Sequence, residues 1–248
     1  MITTKSQREI QLMKEAGRIV ALAHQTVASM IAPGVTTKEI NDAVERVIIE
    51  NNATPSFKGY GGFPYAVCAS VNKTLVHGFP NHKPLVEGDI VSIDIGANYK
   101  GYHGDSAWTY PVGEISDEAK KLLEVTKNSL FVGLSKIQPG VHLGDVSYAI
   151  GEYVTSFGFS CPIEYSGHGI GANLHEDPSI PNIGTPGTGP ILKVGMTLAI
   201  EPMVHVGKPQ TITLMDGWTV NTKDGSLSAH YEHTVVVIDN GYEILTKL

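Results

Sequence analysis

The sequence predicts an α+β fold, with helices grouped apart from antiparallel strands, and three observations predict it. Amphipathic helical segments open on capping boxes. A strand hairpin rich in β-branched residues spans Asp89 to Tyr110, DIVSIDIGANYKGYHGDSAWTY. The third observation is an internal repeat: Ile31-Ala32-Pro33-Gly34-Val35 is echoed by Ile137-Gln138-Pro139-Gly140-Val141, and Leu85 to Asp94 by Leu192 to Glu201, at offsets of 106 and 107. The repeat reads as a duplicated helix–helix–strand unit, with halves of about 1–115 and 116–248 in one domain covering 1–248. No linker is long enough to separate independent domains. Two such halves packed about a pseudo-two-fold axis would bring Asp94 and Glu201, which superpose in the repeat, to one central place.

The elements follow in order. Ser6-x-x-Glu9 opens a helix carrying Ile10, Met13, Ile19 and Val20 towards Ile31, and Pro33-Gly34 ends it. Thr36-x-x-Glu39 opens a second helix carrying Ile40, Val44, Val47 and Ile48. After aromatic and Gly-rich sequence from Phe57 to Tyr65 come a strand at 66–71, the segment Val76-His77-Gly78, and the hairpin. The pattern then restarts with helices over 117–137 and about 145–157. Centring the hairpin between Tyr99 and Lys100 places Asp94 directly opposite Asp105, although the Asn-Tyr-Lys-Gly loop does not force that register.

Composition narrows the function classes. A hydrophobic content of 42% and a charged content of 17% are those of a soluble globular protein. The net charge of −7, without a Lys/Arg cluster, argues against a nucleic-acid partner. Cys68 and Cys161 fit neither a zinc spacing nor a disulfide framework, so reduced thiols and a cytoplasmic location are expected. The first twenty residues alternate charged and apolar types at helical spacing, unlike a signal peptide, and no run suits a membrane span.

The chemistry concentrates in few residues. Asp94 and Asp105 lie in apolar strand sequence, Glu201 follows Leu198-Ala199-Ile200 and precedes Pro202, and Glu232 stands before the apolar run Val235-Val236-Val237. Either aspartate alone is as readily a strand end or turn former. His168 is flanked by glycines in Gly167-His168-Gly169-Ile170-Gly171, with His175 seven residues later. Buried together, four acids cannot all ionise without compensating cations. An oxygen-rich set with an imidazole suits paired divalent ions bridged by carboxylates better than structural zinc. The motifs His-Glu-x-x-His and Gly-x-Ser-x-Gly are missing, which disfavours a helix-borne zinc protease and a serine hydrolase. His24, His82, His103, His142 and His205 are expected in surface or loop positions. His230 and His233 flank Glu232 and are possible supports without an assigned role.

These residues resemble the type I methionine aminopeptidases, metallopeptidases of the pita-bread fold. The matching motifs are Val76-His77-Gly78-Phe79-Pro80, the Asp94/Asp105 spacing, Gly167 to Gly171 with His175-Glu176, Ala199-Ile200-Glu201-Pro202, and Tyr231-Glu232-His233-Thr234. The resemblance covers essentially the whole chain. It implies a curved antiparallel sheet and two divalent ions, of Co, Mn, Fe or Zn, held by Asp94, Asp105, His168, Glu201 and Glu232, with Asp105 and Glu232 bridging. It further implies hydrolysis by an activated bridging water, aminopeptidases being a known instance of such sites. Glu201 would be the general base, and His77 and His175 would contact substrate. Tyr60, Phe63, Cys68 and Trp218 would wall a methionine pocket.

Two positions depart from the family pattern: Phe57 stands where smaller residues are usual, and Leu174 replaces an aromatic. The implied substrate is the initiator methionine of nascent polypeptides with a small second residue. A monomer is expected, and transient ribosome association stays open. The rival readings are a proline-type peptidase of the same fold, which carries an extra N-terminal domain, and a metal-free binding protein on that fold.

Overall fold

The computed structural model describes residues 1–248. Helix α1 (Gln7–Met30) starts at a complete capping box: the Glu9 carboxylate accepts from the Ser6 N–H at 2.7 Å, and Ser6 Oγ accepts from the Glu9 N–H. Helix α2 (Thr37–Glu50) starts the same way on Thr36 and Glu39. Short strand β1 (Thr54–Pro55) and a 3₁₀ turn (Tyr60–Gly62) lead to β2 (Val67–Val71) and β3 (Thr74–Val76). The long hairpin is β4 (Ile90–Tyr99) with β5 (Tyr102–Pro111).

The second half repeats the helix pair as α3 (Asp117–Leu134) and α4 (Leu143–Ser156). It continues through β6 (Ser166–Gly169), β7 (Glu176–Pro181), β8 (Thr197–Ile200) and β9 (Met203–His205). Then follow β10 (Thr211–Thr213), β11 (Val220–Thr222), β12 (Ser228–His230), β13 (His233–Ile238) and β14 (Gly241–Ile244).

All pairings are antiparallel. In the first half β4 is central, with β1 and β2 along one edge and β5 on the other. In the second half the order is β14-β13-β8-β6-β7, while β10-β11-β3 and β12-β9 form smaller sheets. The echo read from the sequence reappears as hydrogen bonds. Gly34 N–H donates to Leu85 O at 2.7 Å and Leu85 N–H to Val35 O at 2.8 Å; the counterparts are Gly140 to Leu192 at 2.9 Å and Leu192 to Val141 at 2.8 Å. Each half buries its helix pair against its own strands. One core holds Ile19, Ile40, Val44 and Ile93, the other Leu122, Leu130, Val146 and Leu198. A third cluster, containing Met13, Phe57, Phe63, Leu174 and Val236, joins them beside the site.

The hairpin register differs from expectation. The turn is Lys100-Gly101, with φ of +50° and +89°, so Tyr99 faces Tyr102, Gly96 faces Asp105 and Asp94 faces Ala107. A two-residue turn matching the strand twist needs positive φ at both positions, and Gly101 supplies one freely. The slip of two residues keeps both aspartates on one face but makes them diagonal neighbours, which relieves the direct opposition of like charges. Two histidines expected outside are inside. His24 is buried on α1, where Nε2 lies 2.8 Å from Ser106 O and Nδ1 2.9 Å from Tyr110 Oη. His205 is buried on β9, its Nδ1 2.9 Å from Lys208 O. His24 continues the apolar stripe of Val20, Ala23 and Val27, and a hydrogen-bonded neutral imidazole is tolerated there. His103 is half-buried on β5, bonded to Ser56 and Asn98, whereas His82 is exposed.

Candidate metal centre

The seam between the halves is laced by hydroxyls. Thr234 Oγ1 accepts from the Asp105 N–H at 3.0 Å and donates to Asp105 O at 2.8 Å. Ser106 Oγ donates to Glu232 O at 2.6 Å, and the Glu232 N–H donates to Ala107 O at 2.8 Å. Thr109 Oγ1 donates to His230 O and accepts from its N–H, both at 2.9 Å. These bonds fix Asp105 on β5 against Glu232, which sits between β12 and β13. The rest of the set comes from β4 (Asp94), β6 (His168) and the end of β8 (Glu201), where Pro202 stops the ladder. Strand β6 approaches β8 closely: a Cβ on Gly167 would lie 2.4 Å from Ala199 O, so only glycine fits.

Three of the four carboxylates converge with two imidazoles. Ligand atoms of Asp105, His168 and Glu232 lie within 4.8 Å of one another, and so do those of Glu201, His230 and Glu232. His168 Nε2 is 3.5 Å from Glu201 Oε1 and 3.9 Å from Asp105 Oδ2. His230 Nε2 is 3.2 Å from Glu201 Oε2, without the alignment of a hydrogen bond. Asp94 Oδ1, Asp105 Oδ1 and Glu232 Oε1 are buried and meet no protein donor.

Burial dominates the electrostatics. It pushes Asp94 up to about 7, with the Glu201 charge adding and His230 opposing. Asp105 is raised well above the usual range by burial and then by Asp94 and Glu201, and Glu232 by burial and then by Asp105, Glu201 and Asp94. Burial also raises Glu201. His168 is lowered to about 3 by burial and by His175. Its Nδ1 lies 2.9 Å from Gly169 O, which fixes the proton there and turns the Nε2 lone pair towards the carboxylates. A lone pair aimed at anionic oxygens, beside carboxylate atoms that no donor reaches, fits divalent cations between them.

A cavity of about 300 Å³ opens on this cluster. It brings together every site residue named from the sequence: Asp94, Asp105, His168, Glu201 and Glu232 at one side, and His77, His175, Tyr60, Phe63, Cys68 and Trp218 around them. Phe57 and Leu174 line it as well. The Phe63 ring meets Trp218 edge-on at 5.2 Å. His175 Nδ1 is 2.7 Å from Tyr60 Oη, and its ring lies 4.3 Å from that of His168. His77 has φ of +59°, a rare setting for a side chain other than glycine. It is held near 4 by burial and by His230 and His175.

Sequence reasoning left His230 without a role, and it missed Glu164, Tyr165 and Met203, which also line the cavity. His230 sits two residues before Glu232, where strand alternation turns both to one face, and that was its only signal. His233, by contrast, bonds to Thr246 away from the cavity. Both cysteines are free and buried.

The model for metallopeptidase family M24 matches residues 11–239. Methionine aminopeptidase 1 of Bacillus subtilis (strain 168) is 55% identical over 248 residues, covering 100% of both chains. The chain belongs to the methionine aminopeptidase branch of family M24. The crystal structure of methionine aminopeptidase from Thermotoga maritima superposes with a TM-score of 0.99 at 50% identity, covering 100% of each chain. The Xaa-Pro dipeptidase from Bacillus anthracis gives a TM-score of 0.80 at 26% identity, and the match covers 99% of this chain but 62% of that one. The pita-bread fold is thus shared across M24, and the methionine aminopeptidases match this chain in length as well. That family is one of metallopeptidases.

Proposed function

We propose that this chain removes the N-terminal methionine from polypeptides whose second residue is small, using two divalent cations. The observation that carries the reading is a cavity, walled by apolar and aromatic side chains on one side, that ends in four carboxylates and a lone-pair-bearing imidazole. Asp94, Asp105, His168, Glu201 and Glu232 would hold the cations, and Glu232 belongs to both clusters of converging ligand atoms. When bound, such ions neutralise the carboxylates, acidify a water towards neutral pH and polarise a carbonyl oxygen.

The chain's own groups do the rest. Glu201, which would be held as a carboxylate beside bound cations, takes the proton of the attacking water and delivers it to the leaving amine. Partial desolvation shifts His175 down from the ordinary imidazole value, which favours its neutral form. With Tyr60 donating to Nδ1, it offers Nε2–H to the oxyanion that develops on the scissile carbonyl. His77, neutral for the same reason, stands by the scissile nitrogen. Phe63, Trp218, Tyr60 and Cys68 take the thioether side chain, whose length and polarizability suit an aromatic and sulfur-bearing wall. Phe57 and Leu174 shape that wall differently from the expected family pattern.

The two halves, about 1–115 and 116–248, form one catalytic unit in this reading. It acts in the cytoplasm as a monomer on nascent chains. No helix is long and apolar enough to cross a membrane. The test is a peptide assay with purified protein supplied separately with Co, Mn, Fe or Zn. Release of methionine from Met-Ala-Ser is expected with at least one of them; cleavage of Ala-Pro with Met-Ala-Ser left intact would refute the assignment.

A further inference from the structure

The segment before α1 reaches the back of the loop that carries His175. Lys5 donates its backbone N–H to Gly195 O at 2.7 Å, in the turn that precedes β8. Its side chain then passes beneath the loop between β6 and β7. Nζ donates to Glu176 Oε2 at 2.7 Å and to Thr3 Oγ1 at 2.6 Å. Both charges are withdrawn from solvent, the side chains being 6% exposed for Lys5 and 14% for Glu176. The loop is shaped to admit the lysine: a Cβ on Gly171 would lie 2.3 Å from Lys5 Cε. The other oxygen of Glu176, Oε1, accepts from the Asn173 N–H at 3.0 Å. Gly171 N–H donates to Asn173 O at 3.0 Å, which closes the loop on itself.

Glu176 is the residue immediately after His175, and it opens β7 opposite Gly169. His175 itself has slender support in front. Its one side-chain hydrogen bond is to Tyr60, which is 45% exposed, and its ring otherwise leans on the His168 edge. Behind it, the carboxylate of Glu176 is anchored by a cation on a different element. A buried ion pair adds little net stability over an apolar pair of similar size, whereas it holds geometry tightly because either charge left alone is strongly unfavourable.

We propose that Lys5 is a positioning residue for catalysis: its ammonium clasps Glu176 and thereby sets where His175 points within the cavity. The inference rests on the reading of His175 as a substrate contact. Without the ammonium, Glu176 would turn out to water, release Asn173 and let the adjacent imidazole drift. Displacement of a catalytic contact by an ångström costs on the order of 100-fold in rate.

The test compares Lys5→Met, Lys5→Arg, His175→Ala and Lys5→Met/His175→Ala in the full chain on Met-Ala-Ser, with metal content measured for each. Lys5→Met is expected to lower kcat/KM by about 10- to 100-fold, mainly through kcat, with metal content unchanged. Lys5→Arg should restore most of the rate. On the His175→Ala background, Lys5→Met should change the rate less than about twofold, because the clasp acts through that imidazole. General damage to the fold would instead multiply with the His175 loss. If Lys5→Met fails to fold, Lys5→Met/Glu176→Gln, which leaves no unpaired buried charge, takes its place with the same expectations.

Wild-type rate in Lys5→Met, or a full further loss on the His175→Ala background, overturns the clasp while leaving the role of His175 standing. Wild-type rate in His175→Ala overturns the role of His175 and the clasp with it.

Discussion

Chelating the divalent cations and raising the pH tests the electrostatic argument most directly. Asp94 moves from 3.8 to about 7 on folding without cations. A folded-state value above the unfolded one gives stability that is complete below 3.8 and lost as the pH rises through 7. Asp105, Glu201 and Glu232 shift in the same direction and add to that loss. The desolvated histidines act oppositely. His24, His77 and His103 fall to about 4 and His168 to about 3, so their stabilisation is present above 6.5 and is lost as the pH falls towards those values.

Between about pH 5 and 7 the chelated folded chain keeps a proton on Asp94 that the unfolded chain has lost, and the carboxylate cluster sets the difference between chelated and cation-loaded protein. Each proton held by the folded but not the unfolded chain lowers stability by about 1.4 kcal/mol per pH unit. In a chain of this size that is about 3–6 °C of Tm per pH unit. The assay is calorimetry of chelated and cation-loaded protein between about pH 5 and 7. The gap between the samples should widen with pH. Titrations elsewhere are common to both samples, so they cancel in the gap. A gap that stays constant or narrows would refute the claim that the four carboxylates depend on bound cations.

Two further outcomes are expected. Glu201→Gln should lower turnover of Met-Ala-Ser by about 100- to 10,000-fold by removing the group that carries the proton; steady-state kinetics at saturating metal would check this, and near wild-type kcat would end that role. Thr234→Val should strip Asp105 of the hydroxyl that pairs with both its backbone N–H and its carbonyl, costing about 2 kcal/mol or more in urea denaturation. Because that bond fixes a ligand-bearing strand, cation affinity should also fall by about 10- to 100-fold, read by titration calorimetry. Unchanged affinity would show that Thr234 serves stability alone.

The sequence by itself determined the local elements and the identity of the chemical groups. Capping boxes at Ser6 and Thr36 announce their helices because the signal lies within four residues, and both formed as read. The echo between Leu85–Asp94 and Leu192–Glu201 announced two equivalent apolar segments leading to acids, Asp94 within β4 and Glu201 just past β8, since a duplicated unit keeps its hydrophobic spacing. The hairpin register was not legible: it depends on whether Lys100 accepts positive φ, a matter of strand twist that composition does not record. Burial of His24 and His205 was likewise decided by what packs over them.

The tertiary structure alone brought His230 beside Glu201, laced β5 to the 230–234 segment through Ser106, Thr109 and Thr234, and ran Lys5 beneath the His175 loop. Each of these joins residues far apart along the chain, and the energy of such a contact depends on distance and solvent exclusion, which exist only once both halves have folded together.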